Sequence, residues 1–477
     1  MFRFFSCFLL LLASCSSPEK PSGLRIAFHS SPSTLDPRKA NDFTSCTLMC
    51  LLYEGLMRNL PDGSVEPALA ERIEISEDQL VYTFYLRDAY WSDGQKVTAY
   101  DLEASWKKGI DPKSPSLCAY LFYPIKDAEA ALKGEKRLEE VGIRAIGQKT
   151  FQVELERPCP SFLSLTAFSC FFPIPLSLSG KNLDQVRPAV VNGPFYLETL
   201  SPHAKLVLKK NPLFWNQGQV HLDAISIHIV PDETTALHLF EHSELDWIGG
   251  ALSPISLDAL ALIKEKENGH FSPTAATTFC TFNTKRFPFN SKEIRQALSL
   301  AINRDEIVEH ITQAGELSAT RFLPPALMGG KNKHLYPSYD PAKAQALLQK
   351  ALRAKKLPPL TLVFKSHTLD KQIAQLLQQQ WQNVLGIHVE LQETDAKTHK
   401  ELLLSRNYDL SLSNWIAQVN DPMNILERFK DQENTKNYPA WQNEGFAQLV
   451  QEALQTTQND KRLEAIESAE EILASEM

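Results

Sequence analysis

The chain has 477 residues and carries 49 Lys and Arg against 57 Asp and Glu, which gives a formal net charge of −8 at pH 7. Hydrophobic residues make up 43 % and charged residues 22 % of the sequence, values that exclude a disordered, collagen-like or polytopic membrane chain. The mildly acidic balance gives no electrostatic reason to expect a nucleic-acid partner. At ~150 residues per domain, the length predicts about three domains.

The N-terminal segment has the pattern of an export signal. Arg3 precedes an apolar run from Phe4 to Ala13 that is too short to span a bilayer, which predicts a secretory signal peptide over residues 1–14. The end of this segment, Leu12-Ala13-Ser14-Cys15, resembles the lipobox of bacterial lipoproteins. That resemblance implies acylation of Cys15, a tether over residues 15–24, and anchoring to a membrane in the periplasm or cell envelope. A plain signal peptide with an incidental cysteine is the alternative.

Six further cysteines remain in the mature chain. Outside the cytoplasm an even number permits disulfides, although a chain of this size needs none and the spacings match no zinc pattern. The pairing is left open for Cys46, Cys50, Cys118, Cys159, Cys170 and Cys280.

Alternating strands and helices are predicted along the first half of the chain. Thr98 is the expected N-cap of a helix, with Asp101 three residues later. Irregular packing is expected for the Phe-, Ser- and Pro-rich residues 158–188. The predicted strands are residues 24–28, 72–75, 80–86, two within 144–156, and 195–208, and the predicted helices are residues 44–56 and 97–108.

A regular β-α-β-α-β pattern appears in the last third. Asp340-Pro341 should cap and start a helix running to residue 356. The pattern follows it as a strand (360–364), a helix (368–385), a strand (387–392), a helix (395–406) and a strand (408–413). Crossover connections of this length predict a parallel sheet. Trp415 comes at the carboxyl end of the last strand, where open α/β sheets border their ligand crevice, and a polar loop over residues 416–422 follows it.

One short motif points to an enzyme instead. His238, Glu241 and His242 fit the H-x-x-E-H pattern of inverted zinc proteases, in which two His bind the metal and the Glu acts as base. The same residues can equally be surface positions, because His238 and Glu241 face away from the apolar stripe of the surrounding helix. Glu470-Glu471 is expected to be a solvated helix face.

Ordered blocks along nearly the whole chain resemble one family, the extracytoplasmic solute-binding proteins of peptide ABC transporters. The blocks are Thr34-Leu35-Asp36-Pro37, Tyr53-Glu54-Gly55-Leu56, Pro67-Ala68-Leu69-Ala70-Glu71, Thr83-Phe84-Tyr85-Leu86-Arg87-Asp88, Trp91-Ser92-Asp93-Gly94, Asn192-Gly193-Pro194-Phe195-Tyr196, Asn211-Pro212-Leu213-Phe214-Trp215, Arg295-Gln296-Ala297 and Ala301-Ile302-Asn303-Arg304.

The resemblance implies an α/β, two-lobed periplasmic-binding-protein (Venus-flytrap) fold with an extra domain inserted in lobe one. Lobe one would comprise residues 25–60 and 188–269, the inserted domain residues 61–187, and lobe two residues 270–477. The family also implies a segment beyond residue 477 that completes lobe one, so the C-terminal part of lobe one is expected to be missing and a sheet edge unpaired. A binding-defective, truncated paralogue is therefore an alternative.

By the same resemblance, the protein is a non-enzymatic, monomeric receptor without cofactor, metal or nucleic acid. It would capture peptides or related solutes in an interlobe cleft and deliver them to the permease of an ABC importer. The implied ligand-binding residues are Asn41, Asp42, Phe43, Thr44, Tyr120, Asn414, Trp415, Ile416, Gln418 and Asp421.

One position departs from the pattern. Peptide-binding members carry an acidic residue three positions after the Trp, whereas this chain has Gln418, which leaves Asp421 or Asp42 as possible replacements. Arg406 is the nearest candidate for a ligand carboxylate.

Overall fold

The computed structural model describes residues 23–265, 269–272, 274–331, 333–353, 356–417, 419–456 and 458–476. Its strands are β1 (Leu24–Phe28), β2 (Met57–Asn59), β3 (Val65–Pro67), β4 (Ala70–Ile75), β5 (Val81–Leu86), β6 (Ile143–Ala145), β7 (Thr150–Glu154), β8 (Phe195–Ser201), β9 (Lys205–Lys210), β10 (Ala224–Ile229), β11 (Ala276–Phe282), β12 (Leu360–Lys365), β13 (Val389–Thr394) and β14 (Leu410–Ile416).

The α-helices are α1 (Phe43–Leu52), α2 (Ala99–Gly109), α3 (Ala128–Leu132), α4 (Phe162–Leu165), α5 (Glu233–Glu241), α6 (Leu257–Glu265), α7 (Lys292–Leu300), α8 (Arg304–Ile307), α9 (Pro341–Leu352), α10 (Thr368–Leu385), α11 (Ala396–Leu404), α12 (Met423–Leu426), α13 (Glu444–Gln455) and α14 (Asn459–Ser475). The structure also contains a short π-helix at Val308–Thr312 and several 3₁₀ turns. None of the helices in the described part is long and apolar enough to cross a membrane.

The first sheet has the order β1-β10-β9-β8, with β1 parallel to β10 and the other pairs antiparallel. The outer edge of β1 is partly covered: Ile26 bridges Trp247, and the His29 backbone N–H donates to the Leu252 carbonyl at 2.7 Å. The sequence predicted an unpaired sheet edge in lobe one without identifying the strand, and this expectation stays a prediction.

The second sheet is antiparallel, in the order β4-β5-β7-β6, and packs on α2. The predicted cap of α2 is confirmed, because the Asp101 carboxylate accepts the Thr98 backbone N–H at 2.7 Å. Trp106 lies at the centre of this core, with its ring centroid 4.9 Å from those of both Phe151 and Phe171. Its indole N–H donates to the Phe171 carbonyl at 2.7 Å, so the largest side chain of this core is fully hydrogen-bonded.

The third sheet has the order β11-β14-β12-β13. The predicted parallel arrangement is confirmed, since β12 runs parallel to both β13 and β14, while β11 is antiparallel to β14. α10 packs against β12 and β13, and its Trp381 is fully buried and donates to the Leu298 carbonyl at 3.0 Å. The predicted start of α9 is also confirmed, with Pro341 in its first turn and the Asp340 carboxylate capping the Lys343 N–H.

A buried ion pair ties α14 to the chain before α9. The side chains of Arg321 and Glu470 are 1 % and 0 % exposed and bond through two guanidinium nitrogens. Glu470 also accepts the backbone N–H of Leu323 at 2.7 Å. The expectation of a solvated face was therefore wrong for Glu470, whereas its neighbour Glu471 is half-exposed and pairs with Lys333.

Several of the sequence blocks meet at one point, which we call the Glu54 node: Glu54, Arg87, Asn192 and Trp215. The Asn192 side chain bonds the Glu54 backbone twice, at 3.0 and 3.1 Å. The Trp215 indole donates to the buried Glu54 carboxylate, and the Arg87 guanidinium carbon lies 3.6 Å from the Trp215 ring centroid. Tyr53, just before these contacts, has extended backbone, so α1 ends at Leu52 and not at the predicted residue 56.

Candidate ligand-binding cleft

The carboxyl ends of three parallel strands lie at one edge of the third sheet. β12 ends at Lys365, β13 at Thr394 and β14 at Ile416. The Lys365 ammonium donates to the Asn414 side-chain oxygen at 3.1 Å, and Ile416 is 52 % exposed. An accessible cation, an amide and an apolar side chain thus share this edge, which is the usual position of a ligand in an open α/β sheet.

Trp415 points to the other face of β14, because side chains alternate along a strand. It is 6 % exposed and packs in a core that includes Phe429 and Phe446. Its indole N–H has no hydrogen-bond partner among the residues that the structure describes. Of the predicted residues on this strand, Asn414 and Ile416 are therefore the accessible ones.

Behind this edge, α11 supplies a buried histidine. The His399 Nε2 atom lies 3.0 Å from the Ser411 hydroxyl, which is itself 3.2 Å from the Ser413 hydroxyl. Burial, together with the nearby Lys365 charge, lowers the pKa of His399 below its ordinary value of 6.5. The His399 side chain of α11 thus contacts β14 through the Ser411 hydroxyl.

The start of α1 carries the second predicted group. Asn41 and Phe43 are exposed, Phe43 by 56 %, whereas Thr44 is 2 % exposed. The Asp42 carboxylate caps α1 through the Ser45 N–H at 2.8 Å and accepts hydroxyl bonds from Ser33 and Ser45 at 2.6 and 2.7 Å. Burial alone would raise the pKa of Asp42, but these hydrogen bonds outweigh it and the pKa is lowered. Asp42 is thus a charged, hydrogen-bonded cap.

Asp421 does not replace the acid that is missing at position 418. It is 4 % exposed and accepts two bonds of 2.8 Å from the Arg462 guanidinium, so its charge is already compensated. Asp421 also caps the Met423 N–H at 2.8 Å. The hypothesis that Asp421 pairs with a ligand ammonium is corrected accordingly. Gln418 and Cys15 lie outside the described residues.

The chain that follows β14 contacts loops that precede, connect and follow the strands of the second sheet. The Asn420 amide donates to the Gly63 carbonyl at 3.0 Å, and Arg157 pairs with Glu427 at 3.0 Å. The Lys436 ammonium lies 3.8 Å from the centroid of the predicted ligand-binding residue Tyr120. The structure thus brings Tyr120 close to the segment after β14, although the two are far apart in sequence.

Sequence reasoning missed two of these cations. Lys365 ends β12, so the rule that singled out Trp415 at the end of β14 would also have found it. Lys436 carries no local signal, since only the fold places it against Tyr120. Arg406, the predicted carboxylate partner, instead donates to the Gln432 carbonyl at 2.5 Å.

The H-x-x-E-H residues have the geometry of a helix surface. The ring centroids of His238 and His242 are 6.5 Å apart, and the His242 Nδ1 atom lies 2.7 Å from the His238 carbonyl oxygen. His238 and Glu241 are 65 % and 57 % exposed and contact each other at 3.5 Å. Within the described ranges, no group of three or more His, Cys, Asp or Glu could hold a metal ion. The geometry does not favour the zinc-peptidase alternative.

Comparison with known proteins decides the family. Residues 64–437 match the model of bacterial extracellular solute-binding proteins, family 5. The chain belongs to the family 5 extracellular solute-binding proteins. It is 34 % identical over 467 residues to the oligopeptide-binding protein OppA of Bacillus subtilis, covering 95 % of this chain and 86 % of that protein.

Solved family 5 structures share the two-lobed α/β fold. The unliganded open form of the periplasmic murein tripeptide binding protein MppA superposes with a TM-score of 0.79 at 25 % identity, covering 96 % of this chain and 90 % of that one. Peptide-bound OppA of Listeria monocytogenes superposes with a TM-score of 0.74 at 28 % identity, covering 95 % and 91 %. The fold class predicted from the sequence is confirmed.

Proposed function

We propose that this family 5 protein is a non-enzymatic receptor that captures peptides and delivers them to an ABC importer. The observation that carries the proposal is similarity over 95 % of the chain to an oligopeptide-binding relative. The accessible edge formed by Lys365, Asn414 and Ile416 supports it, because polar donors and acceptors at strand ends suit a peptide backbone. No bond is made or broken in this function.

The proposed cleft lies between two lobes. Lobe one comprises residues 25–60 and 188–269, the inserted domain residues 61–187, and lobe two residues 270–477. The sheets support this division, since β1 joins β8, β9 and β10 in one sheet, whereas β11 to β14 form another. Hinge closure would remove the ligand from water and present the closed form to the permease.

The bound peptide is proposed to lie as an added strand beside residues 414–416 of lobe two. Main-chain hydrogen bonds would then supply affinity, while side-chain pockets tolerate different residues. The start of α1 (residues 41–44) and Tyr120 are proposed to contact the same ligand. Asn41 and Phe43 are the exposed side chains of that helix start and would meet the ligand first.

Gln418 sets the ligand range in this proposal. An amide accepts a hydrogen bond from an ammonium without the charge attraction that a carboxylate adds in an enclosed cleft. The variant Gln418→Asp should therefore gain affinity for peptides with a free amino terminus but not for their N-acetylated forms. Gln418→Asn is the matched control, because it keeps the neutral amide. Equal affinity of Gln418→Asp and wild type for free-amino peptides would contradict this role.

Binding by the purified protein tests the receptor function itself. A mixed library of peptides of two to six residues is incubated with the protein, and retained peptides are identified by mass spectrometry after gel filtration. Calorimetry on the retained peptides should then give one site per chain. Retention of no peptide, with the protein folded by circular dichroism, would refute the proposal.

The proposal includes a lipid anchor at Cys15 and a monomeric state. Acyl chains on this cysteine would hold the protein at a membrane without spanning it. Metabolic labelling with a fatty acid should mark the wild type and not Cys15→Ser. Analytical ultracentrifugation of the unacylated Cys15→Ser protein should give the mass of one chain.

A further inference from the structure

Val419 packs in a core that is otherwise built from a distant part of the chain. It follows the end of β14 by three positions and is 9 % exposed. Its side chain lies in the core of the second sheet, and among the described residues every other buried member of that core lies between Leu56 and Phe171. Trp415 and Ala417, just before it, pack instead in the core that contains α13. The chain thus leaves one core and enters another between residues 417 and 419.

Two polar contacts flank the Val419 side chain. The Asn420 amide donates at 3.0 Å to the carbonyl of Gly63, in the turn between β2 and β3. Gly63 has a φ of +81°, and a Cβ at this position would lie 2.9 Å from the Asn420 amide nitrogen, so the close approach requires a glycine. Further along, Glu427 pairs at 3.0 Å with Arg157, which follows β7. Residues 419–427, which we call the latch segment, therefore contact the region around the second sheet at three places.

The apolar contact is the strongest of the three. The side chains of Arg157 and Glu427 are 45 % and 43 % exposed, so water and salt screen their attraction. Burial of the Val419 methyl groups is not screened in this way, because it depends on the apolar area removed from water. The polar contacts thus orient the latch segment, while Val419 supplies most of its adhesion.

The latch segment begins close to the proposed ligand edge. Ile416, the last residue of β14, is 52 % exposed at that edge, and Val419 follows three positions later. Gly63 and Arg157 belong to the proposed inserted domain, whereas the latch segment belongs to proposed lobe two. The three contacts therefore cross between the two sides of the proposed cleft, and a separation of those sides must break them.

We propose that the latch segment holds the two sides of the cleft together and limits the rate at which a bound peptide leaves. This inference deepens the proposed function and rests on it for the nature of the bound molecule. The junction itself rests on the contacts of Val419, Asn420 and Glu427, so it can be tested with and without a peptide.

Hydrogen exchange tests the junction without a peptide. In the purified protein, Val419→Ala should speed amide exchange of residues 57–67 about tenfold, because two buried carbon atoms are lost and the junction opens more often. Val450→Ala is the matched control, since Val450 is 0 % exposed in the core that contains α13 and loses the same two carbon atoms. Circular dichroism verifies that both variants are folded. Equal exchange of residues 57–67 in the two variants would overturn the inference, whether or not a peptide binds.

Peptide dissociation tests the role in release. For peptides retained from the library, Val419→Ala should raise the dissociation rate constant about tenfold in stopped-flow measurements, and Val450→Ala should leave it unchanged. An unchanged rate constant in Val419→Ala would overturn the role in release. Retention of no peptide would refute the proposed function instead, and the exchange measurement would still decide whether the junction exists.

The ion pair gives a separate, salt-dependent readout. Glu427→Gln should raise the dissociation rate constant about twofold at low salt and have no effect at about 1 M NaCl, because salt screens exposed charges. The reversed pair Arg157→Glu/Glu427→Arg should restore the wild-type rate constant at low salt. The effect of Val419→Ala should persist at both salt concentrations. Its disappearance at high salt would contradict the leading role of the apolar contact.

Discussion

The Arg321–Glu470 pair provides a quantitative test of the packing around α14. Replacing Arg321 with Met removes both guanidinium bonds and leaves the Glu470 carboxylate, 0 % exposed, with the Leu323 N–H as its remaining hydrogen-bond donor among the described residues. An uncompensated buried charge costs about 3–5 kcal/mol. For a cooperative unit of roughly 200 residues this corresponds to a fall in melting temperature of about 6–20 °C.

The matched control is one residue further along α14. Lys333 and Glu471 form a similar pair, but their side chains are 47 % and 50 % exposed, so Lys333→Met should leave the melting temperature nearly unchanged. The double variant Arg321→Met/Glu470→Leu should recover most of the loss, because it leaves no unpaired charge. Differential scanning calorimetry of the purified proteins measures all three. Equal melting temperatures for Arg321→Met and Lys333→Met would refute the reasoning.

Three further outcomes are expected. The pKa of His399 is lowered in the folded protein, so its contribution to the free energy of unfolding is present above pH 6.5 and is lost as the pH falls below that value. In urea unfolding measured between about pH 7 and pH 5, His399→Gln should therefore lose less stability on acidification than the wild type. Trp215→Phe removes a donor to the buried Glu54 carboxylate and should cost about 1–3 kcal/mol by urea unfolding. Gly193→Ala would place a Cβ 2.6 Å from the Leu52 carbonyl carbon and should lower the melting temperature, whereas Gly180→Ala meets nothing within 4 Å and should not.

Local signals predicted much of the fold. The Thr98–Asp101 cap, the Asp340-Pro341 helix start and the β-α-β-α-β pattern of the third sheet were all readable, because each depends on neighbouring residues or on one periodicity. Element ends were less predictable. The end of α1 is set by Asn192, which contacts Glu54 across 138 residues of sequence.

The burial of charged residues could not be predicted from local sequence signals. Glu470 looks like part of an acidic surface pair in the sequence, and only its contact with Arg321, 149 residues away, shows that it is buried. For the candidate site, the rule that ligands lie at the carboxyl ends of parallel strands led to residues 414–416 at the edge of the third sheet. The rule could not predict that the Trp415 side chain faces the core. The proximity of Lys436 to Tyr120 depends on how the segment after β14 packs against the region around the second sheet, which no local sequence pattern predicts.

The Glu54 node has a consequence for variants in which the proposed inserted domain is deleted. Arg87 comes from the proposed inserted domain, while Glu54, Asn192 and Trp215 come from proposed lobe one, so the cation that covers the Trp215 ring belongs to the insertion. Excising the insertion would uncover that ring and leave the buried Glu54 carboxylate with fewer compensating charges. Although the sheet of the proposed insertion is separate, Arg87 therefore contributes to the stability of the first-sheet region, and a deletion variant that keeps residue 87 should be more stable than one that removes it.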